Sequence, residues 1–151
     1  MKLTPKKINQ FTLFKLPSAW FCGVRLTEIT NQKSVASVKH RWINQNPFNS
    51  MYFAVQAMAA ELTTGALVMQ SIQNHNKKIS MLVAENKSEF LKKAKGRIHF
   101  KCEDGDALEE AMHICLTRDE GATIWMKAVG KNDEQEVVSI FEFKWTLKQK
   151  K

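Results

Sequence analysis

Between Thr4 and Trp20 the apolar residues Ile8, Phe11, Leu13, Phe14 and Leu16 recur at helical spacings until Pro17 interrupts them. This predicts a short amphipathic N-terminal helix packed against something larger. Val24 to Thr30 and Val35 to Trp42 read as two strands joined by Asn31-Gln32-Lys33, a hairpin with Lys39 and Arg41 on its polar face. Asn44 to Asn49 is polar and loop-like, and Ser50 is placed to cap a helix through its hydroxyl. From Ser50 to about Gln73, roughly 24 residues or 36 Å of helix, Met51, Tyr52, Phe53, Val55, Met58, Leu62, Leu67, Val68, Met69 and Ile72 leave almost no polar face. Such a helix has to be buried.

Four further segments, 79–90, 97–103, 123–130 and 136–148, supply a sheet to bury it. Ile98, Phe100 and Cys102 alternate with Arg97, His99, Lys101 and Glu103. Val137, Phe141, Phe143, Trp145 and Leu147 oppose Glu142, Lys144, Thr146 and Lys148. Period two of this kind means one dry and one wet sheet face. Asp106 to Leu116 is a second short amphipathic helix, expected at the sheet's edge. The pattern as a whole is α+β, a sheet of about six strands around one long central helix.

The chain has 151 residues, 44% of them hydrophobic, which fits one domain over 1–151 with a substantial core. No apolar run is long enough for a spanning helix, so membrane insertion is not expected. Met1 to Ile8 is basic, but Asn9, Gln10, Lys15 and Pro17 interrupt the stretch after it, unlike an export segment. A cytoplasmic location is therefore expected. Cys22, Cys102 and Cys115 form no CxxC pair, and His40, His75, His99 and His113 stand far apart, so neither disulfides nor a metal site is expected. The net charge of +8 raises nucleic-acid binding. Against it, Phe141, Phe143 and Trp145 share an inward face rather than interleaving with lysines on an outward one.

The chemistry concentrates on one residue. From Trp42 to Asn76 Glu61 is the only acidic or basic side chain other than histidine, and Ala57, Met58, Thr64 and Gly65 are its neighbours one helical turn away. No cation lies at i±3 or i±4 to pair with it. An isolated carboxylate on a buried helix responds with a raised pKa or with hydrogen bonds from other elements. Either fits a catalytic acid or base, and an acid on a solvated helix edge fits the same pattern. Fifteen positions earlier, Asn46 sits in the loop that delivers the helix's free first-turn amides. Helix N-termini hold negative charge and suit a developing oxyanion.

Asn46-x-x-Asn49-x-x-Tyr52, followed nine positions later by Glu61, resembles the Asn-x-x-Gly-x-x-His-Gly-Gly...Asp/Glu signature of the hotdog-fold acyl-CoA thioesterases, without a gap. Phe90-Leu91-Lys92-Lys93-Ala94-Lys95-Gly96 is similar to the family's next strand and turn. The likeness covers nearly the whole chain, most closely an uncharacterised bacterial branch of the phenylacetate-degradation type. It implies a hotdog fold, in which a curved antiparallel sheet wraps a central helix. It also implies hydrolysis of a fatty or aromatic acyl-CoA. Glu61 would activate water or attack the thioester, Asn46 would orient substrate or water, and the amide of Phe53 would donate to the thioester oxygen. Asn49 and Tyr52 stand where the family has glycine and histidine, and Phe53-Ala54 where it has Gly-Gly.

The resemblance further implies a homodimer with each site built from two subunits, and leaves open whether the dimers pair into a tetramer. Ser80 or Ser88 would then supply a partner hydroxyl, and Lys92, Lys93, Lys95 and Arg97 would cradle the phosphates of coenzyme A. Met58, Leu62 and Phe48 would line the acyl tunnel. No cofactor beyond the coenzyme A of the substrate is implied. A non-catalytic acyl-CoA or lipid-binding hotdog protein is the alternative. A dehydratase is disfavoured because no histidine occupies the motif position.

Overall fold

The computed structural model describes residues 2–151. In chain order it contains α1 (Pro5–Lys15), α2 (Pro17–Phe21), β1 (Arg25–Ile29), β2 (Ser34–Lys39), a 3₁₀ turn at Trp42–Asn44, α3 (Phe53–His75), β3 (Ile79–Phe90), β4 (Arg97–Cys102), α4 (Gly105–Thr117), β5 (Ala122–Lys131) and β6 (Val137–Gln149). The strands form one antiparallel sheet in the order β1-β2-β4-β5-β6-β3. The helix α3 crosses one face of it, against β2, β4 and β5.

The alternations in β4 and β6 put Ile98, Phe100 and Cys102 together with Phe141, Phe143, Trp145 and Leu147 under that helix, all buried. Val137 departs from the expected phase. The register slips between Gly130 and Lys131, opposite Ser139 and Val137, so Val138 bulges and takes the fully buried position instead. A bulge inserts one residue and reverses the faces beyond it.

The central helix runs 53–75 rather than 50–73, and Ser50 does not cap it. Residues 50–52 are held by other segments: Ser50 O accepts from Asn46 N, Met51 N donates to Ala94 O, and Tyr52 N donates to Asn44 O. Tyr52, with φ −59° and ψ 134°, is the residue before the first turn and offers no side-chain cap. At the other end Asn76 closes the helix in the left-handed conformation, φ 49°.

The N-terminal segment is two helices, because the backbone leaves helical geometry at Leu16 and Pro17 opens the second. Arg41 lies beyond the end of β2. The helix α4 is not an excursion at the edge. It links β4 to β5, neighbours in mid-sheet, and buries Leu108, Met112 and Cys115 beside α3. Ser71 and His75 of α3 both bond Glu109 of α4, at 2.5 and 2.9 Å.

The two sheet edges differ. On β1, Asn9 of α1 bonds both backbone groups of Leu26, donating to its oxygen at 2.9 Å and accepting from its nitrogen at 2.8 Å. On β3 the twelve residues pair only with β6, and from Ala84 to Phe90 nearly every side chain is exposed. A long open edge of this kind is a template for pairing with another chain.

Candidate active site

The loop before α3 is built by two asparagines. Asn44, buried, donates from Nδ2 to Cys22 O and Lys39 O, both at 2.9 Å, and accepts from Arg41 N at 2.8 Å. Asn46 uses its whole side chain on its own turn. Its Oδ1 accepts from Phe48 N at 2.9 Å and Ser50 N at 3.1 Å, and its Nδ2 donates to Ser50 Oγ at 2.9 Å. Asn49 has φ 58°, the left-handed region where asparagine is the best tolerated residue after glycine. Its stand-in for the signature glycine thus has a conformational reason.

Val55 N and Gln56 N both donate to Tyr52 O, whereas the amides of Phe53 and Ala54 have no acceptor among the described residues. Phe53 lines a cleft of about 590 Å³ whose wall also includes Asn46, Phe48, Tyr52, Lys92 and Lys93. The Phe53 ring packs edge-on against Tyr52 at 5.1 Å and Phe90 at 6.1 Å, so three aromatic rings line the mouth. Below them Gln56, buried, accepts from Ser139 Oγ at 2.8 Å and ties the first turn of α3 to β6.

Glu61 stands eight residues further on, about 12 Å down the helix axis, and does not line that cleft. It lies on a half-buried stripe of α3 with Ala54, Ala57, Met58, Met69 and Ile72, beside Trp145 of β6. No hydrogen bond or ion pair engages its carboxylate among the described residues. Burial pushes its pKa above the usual glutamate value. Gly65 makes the space. A Cβ there would lie 3.3 Å from Cη2 and Cζ2 of Trp145 and 3.6 Å from Glu61 Oε1, so indole and carboxylate share the room an ordinary side chain would fill. Trp145 is held by its Nε1, which donates to Thr64 Oγ1 at 2.9 Å, and Thr64 in turn donates to Glu61 O at 3.0 Å.

Within one chain the structure therefore brings together Asn46, Tyr52, Phe53, Lys92 and Lys93, and leaves Glu61 and Met58 on the open stripe. Leu62 is buried core, while Phe48 is exposed at the cleft, so with Met58 they line no common tunnel in a single chain. Ser80 points to the sheet's outer face, where its Oγ donates to Lys148 O. Ser88, opposite Phe141, shares the inner face with Asn86 and Phe90. Among the lysines, Lys92 is ion-paired with Glu136 and Lys93 donates to Phe48 O at 3.2 Å. Arg97 turns toward β2 and donates to Ser37 Oγ at 3.2 Å, and Lys95 is exposed.

Sequence reasoning missed the amide of Ala54, the Trp145–Thr64 bond and the lining role of Phe90 and Leu91. The inward phase of Trp145 in the alternation of β6 was the signal for the Trp145–Thr64 contact. Adjacency to the lysine turn was the signal for Phe90 and Leu91. No group of three or more His, Cys, Asp or Glu side chains suited to a metal is found among the described residues. Cys102 is buried, its thiol pushed up to about 12 by loss of solvation, and it carries no chemistry here.

Residues 4–147 match the family described as a domain of unknown function, DUF4442, and the chain belongs to that family. No curated protein matches it. Among solved structures it is similar to PA5026 from Pseudomonas aeruginosa, described as a protein of unknown function and probable thioesterase, with 21% identity over 99% of each chain and a TM-score of 0.86. It is also similar to OLEI01261 from Chlorobaculum tepidum, of unknown function, with 20% identity over 99% of each chain and a TM-score of 0.85. The thioesterase HI1161 from Haemophilus influenzae aligns with 9% identity over 99% of this chain and 93% of its own, at a TM-score of 0.76. These likenesses establish the fold, an α+β hotdog.

Proposed function

We propose that the protein hydrolyses an acyl-CoA thioester as a homodimer whose sites each combine two chains. The observation that carries this is a half-buried carboxylate, Glu61, without a partner and with a raised pKa, on the same helix whose first two amides are unpaired beside a cleft. Structural neighbours described as thioesterases add support. The 12 Å between helix start and Glu61, about eight residues of rise, is too long for one thioester to touch both. The open β3 edge is the surface on which a second copy would pair in this reading, supplying its own Glu61 to the cleft.

In this arrangement the amides of Phe53 and Ala54 accept the negative charge that develops on the thioester oxygen. Glu61 of the second copy takes a proton from water as it attacks the carbonyl, or attacks first and forms an anhydride that water opens. The C–S bond breaks, the thiolate of coenzyme A takes up the proton, and free acid leaves. A carboxylate whose pKa burial raises is a stronger base for this transfer. Asn46 acts as a positioning residue, because its polar atoms are spent on the loop that aims the amides. Lys92 and Lys93 border the entrance as phosphate contacts, with Lys95 and Arg97 further along the same turn. Ser88, rather than Ser80, is the inner-face hydroxyl that fits a contribution from β3. The reaction needs no metal or further cofactor.

A non-catalytic acyl-CoA binder is favoured by one observation: Phe53 fills space at the cleft mouth where the signature has glycine. Free-thiol release from acyl-CoA esters of graded chain length separates the two. Turnover supports hydrolysis, and tight binding with no thiol release supports the binder.

A further inference from the structure

Strand register puts four connections at one end of the sheet. Arg25 pairs near Lys39, Lys39 with Arg97, His99 with Lys131, Lys131 with Val137, and Phe90 with Ser139. The α2–β1, β2–α3, β3–β4 and β5–β6 connections are therefore neighbours, and the end of α1 joins them through α2. Large apolar side chains crowd this rim and face water: Phe14 is 77% exposed, Phe21 64%, Trp42 83%, Ile43 50% and Phe48 67%. The cleft of the candidate site opens on the same rim.

The charges there are in basic excess. Residues 1–60 hold eight basic side chains and one acid, and of these Lys15, Arg25, Lys39 and Arg41 lie toward this end, whereas Glu28 is ion-paired with Lys33 at the opposite end of the hairpin. Lys15, Lys39 and Arg41 stand among the exposed aromatics, with Lys93 and Lys95 on the next connection. The acids of this end are Glu89, next to the last residue of β3, and Asp133, Glu134 and Glu136 of the β5–β6 turn, away from Trp42 and Arg41 along the chain, with Glu136 already bonded by Lys92. Exposed Trp and Phe ringed by Lys and Arg are the elements of an interface with an anionic bilayer, the rings entering the headgroup layer and the cations meeting lipid phosphates.

We infer that this rim docks the protein on an anionic phospholipid surface, whether or not the cleft hydrolyses thioesters. No helix among the described residues is long and apolar enough to cross a membrane, so the contact is peripheral. It turns the cleft mouth toward the lipid, the phase in which long acyl chains partition.

The test is co-sedimentation of the full chain with phosphatidylcholine vesicles, with and without phosphatidylglycerol, at low and high salt. Binding to the phosphatidylglycerol vesicles at low salt, weakened by salt, is expected, with a blue shift of tryptophan emission that Trp42→Ser removes. Each cation near the surface is worth about fivefold in binding, so Lys39→Gln/Arg41→Gln should weaken it about 25-fold. Phe21→Ser/Trp42→Ser should weaken it at least about tenfold, and Phe14→Ser repeats that test with a single change. Trp125→Ala, on the outer sheet face, should change nothing. No sedimentation at low salt overturns the proposal, as does equal binding by the variants and the wild type. So does a change in oligomeric mass on Phe21→Ser/Trp42→Ser without loss of vesicle binding, which would assign the patch to a second copy. Retention on oligonucleotides or an acidic protein with none on vesicles overturns it as well.

Discussion

Gly65→Ala tests whether Trp145 and Glu61 compete for the space above that glycine. In an unobstructed helix interior the change is worth about 0.8–1 kcal/mol in favour of Ala. Here the new Cβ would meet Cη2 and Cζ2 of Trp145 at 3.3 Å. The indole has little freedom to retreat, being 3% exposed and tied to Thr64 at 2.9 Å. Overpacking of a tight core costs about 1–3 kcal/mol, and a contact short by only tenths of an ångström belongs at the low end. The two effects nearly cancel in the wild type, giving a net loss of about 0–1 kcal/mol. Trp145→Phe removes the clashing ring atoms, and although it is itself destabilising by about 2–3 kcal/mol through lost volume and the lost bond, Gly65→Ala on that background should stabilise. Urea unfolding of the four proteins in a double-mutant cycle reads a coupling of about 1–2 kcal/mol. Additivity within about 0.5 kcal/mol would refute the shared-space geometry, as would a full stabilisation by Gly65→Ala in the wild type.

Three further predictions concern stability. Because burial raises the Glu61 pKa in the fold, stability from this group is present below the unfolded carboxyl value of about 4.3 and is lost as pH rises through the folded value. Glu61→Gln should therefore melt at higher temperature than wild type at pH 7, the two converging below about pH 4; a less stable variant at pH 7 would deny the desolvation. Asn46→Ala should lose about 2 kcal/mol, or roughly 4–8 °C in Tm, because two loop amides lose their acceptor, while Asn46→Asp keeps most of it. An unchanged Tm for Asn46→Ala would mean the loop does not depend on that side chain. Asn49→Gly should be neutral or stabilising by less than about 1 kcal/mol and Asn49→Val destabilising by about 1–2 kcal/mol, in line with φ 58°; equal stability of the two would contradict a left-handed residue there.

Much of this architecture was legible from pattern alone. The charge-free stretch around Glu61 marked both the buried helix and its one anomalous residue, and the alternation of β4 and β6 marked the inner sheet face. Sequence periodicity does not encode pairing. The slip that buries Val138 instead of Val137 depends on the partner strand. So does the start of α3, set at Phe53 because Ala94 and Asn44 claim the preceding amides. The same holds for Ser80, whose face is set by its register with Lys148, and for α4, whose mid-sheet position is set by β4 and β5 being neighbours. Asn46 was identifiable as a residue of the loop, but its full engagement with Phe48 and Ser50 is a tertiary fact. The separation of Glu61 from the helix start was present in the count of residues between them.

Thiol release by Glu61→Gln is the most direct measurement of the central claim. With fold confirmed by its melting curve, kcat/KM on the best acyl-CoA substrate should fall on the order of a hundredfold or more. Turnover equal to wild type would take the carboxylate out of the reaction.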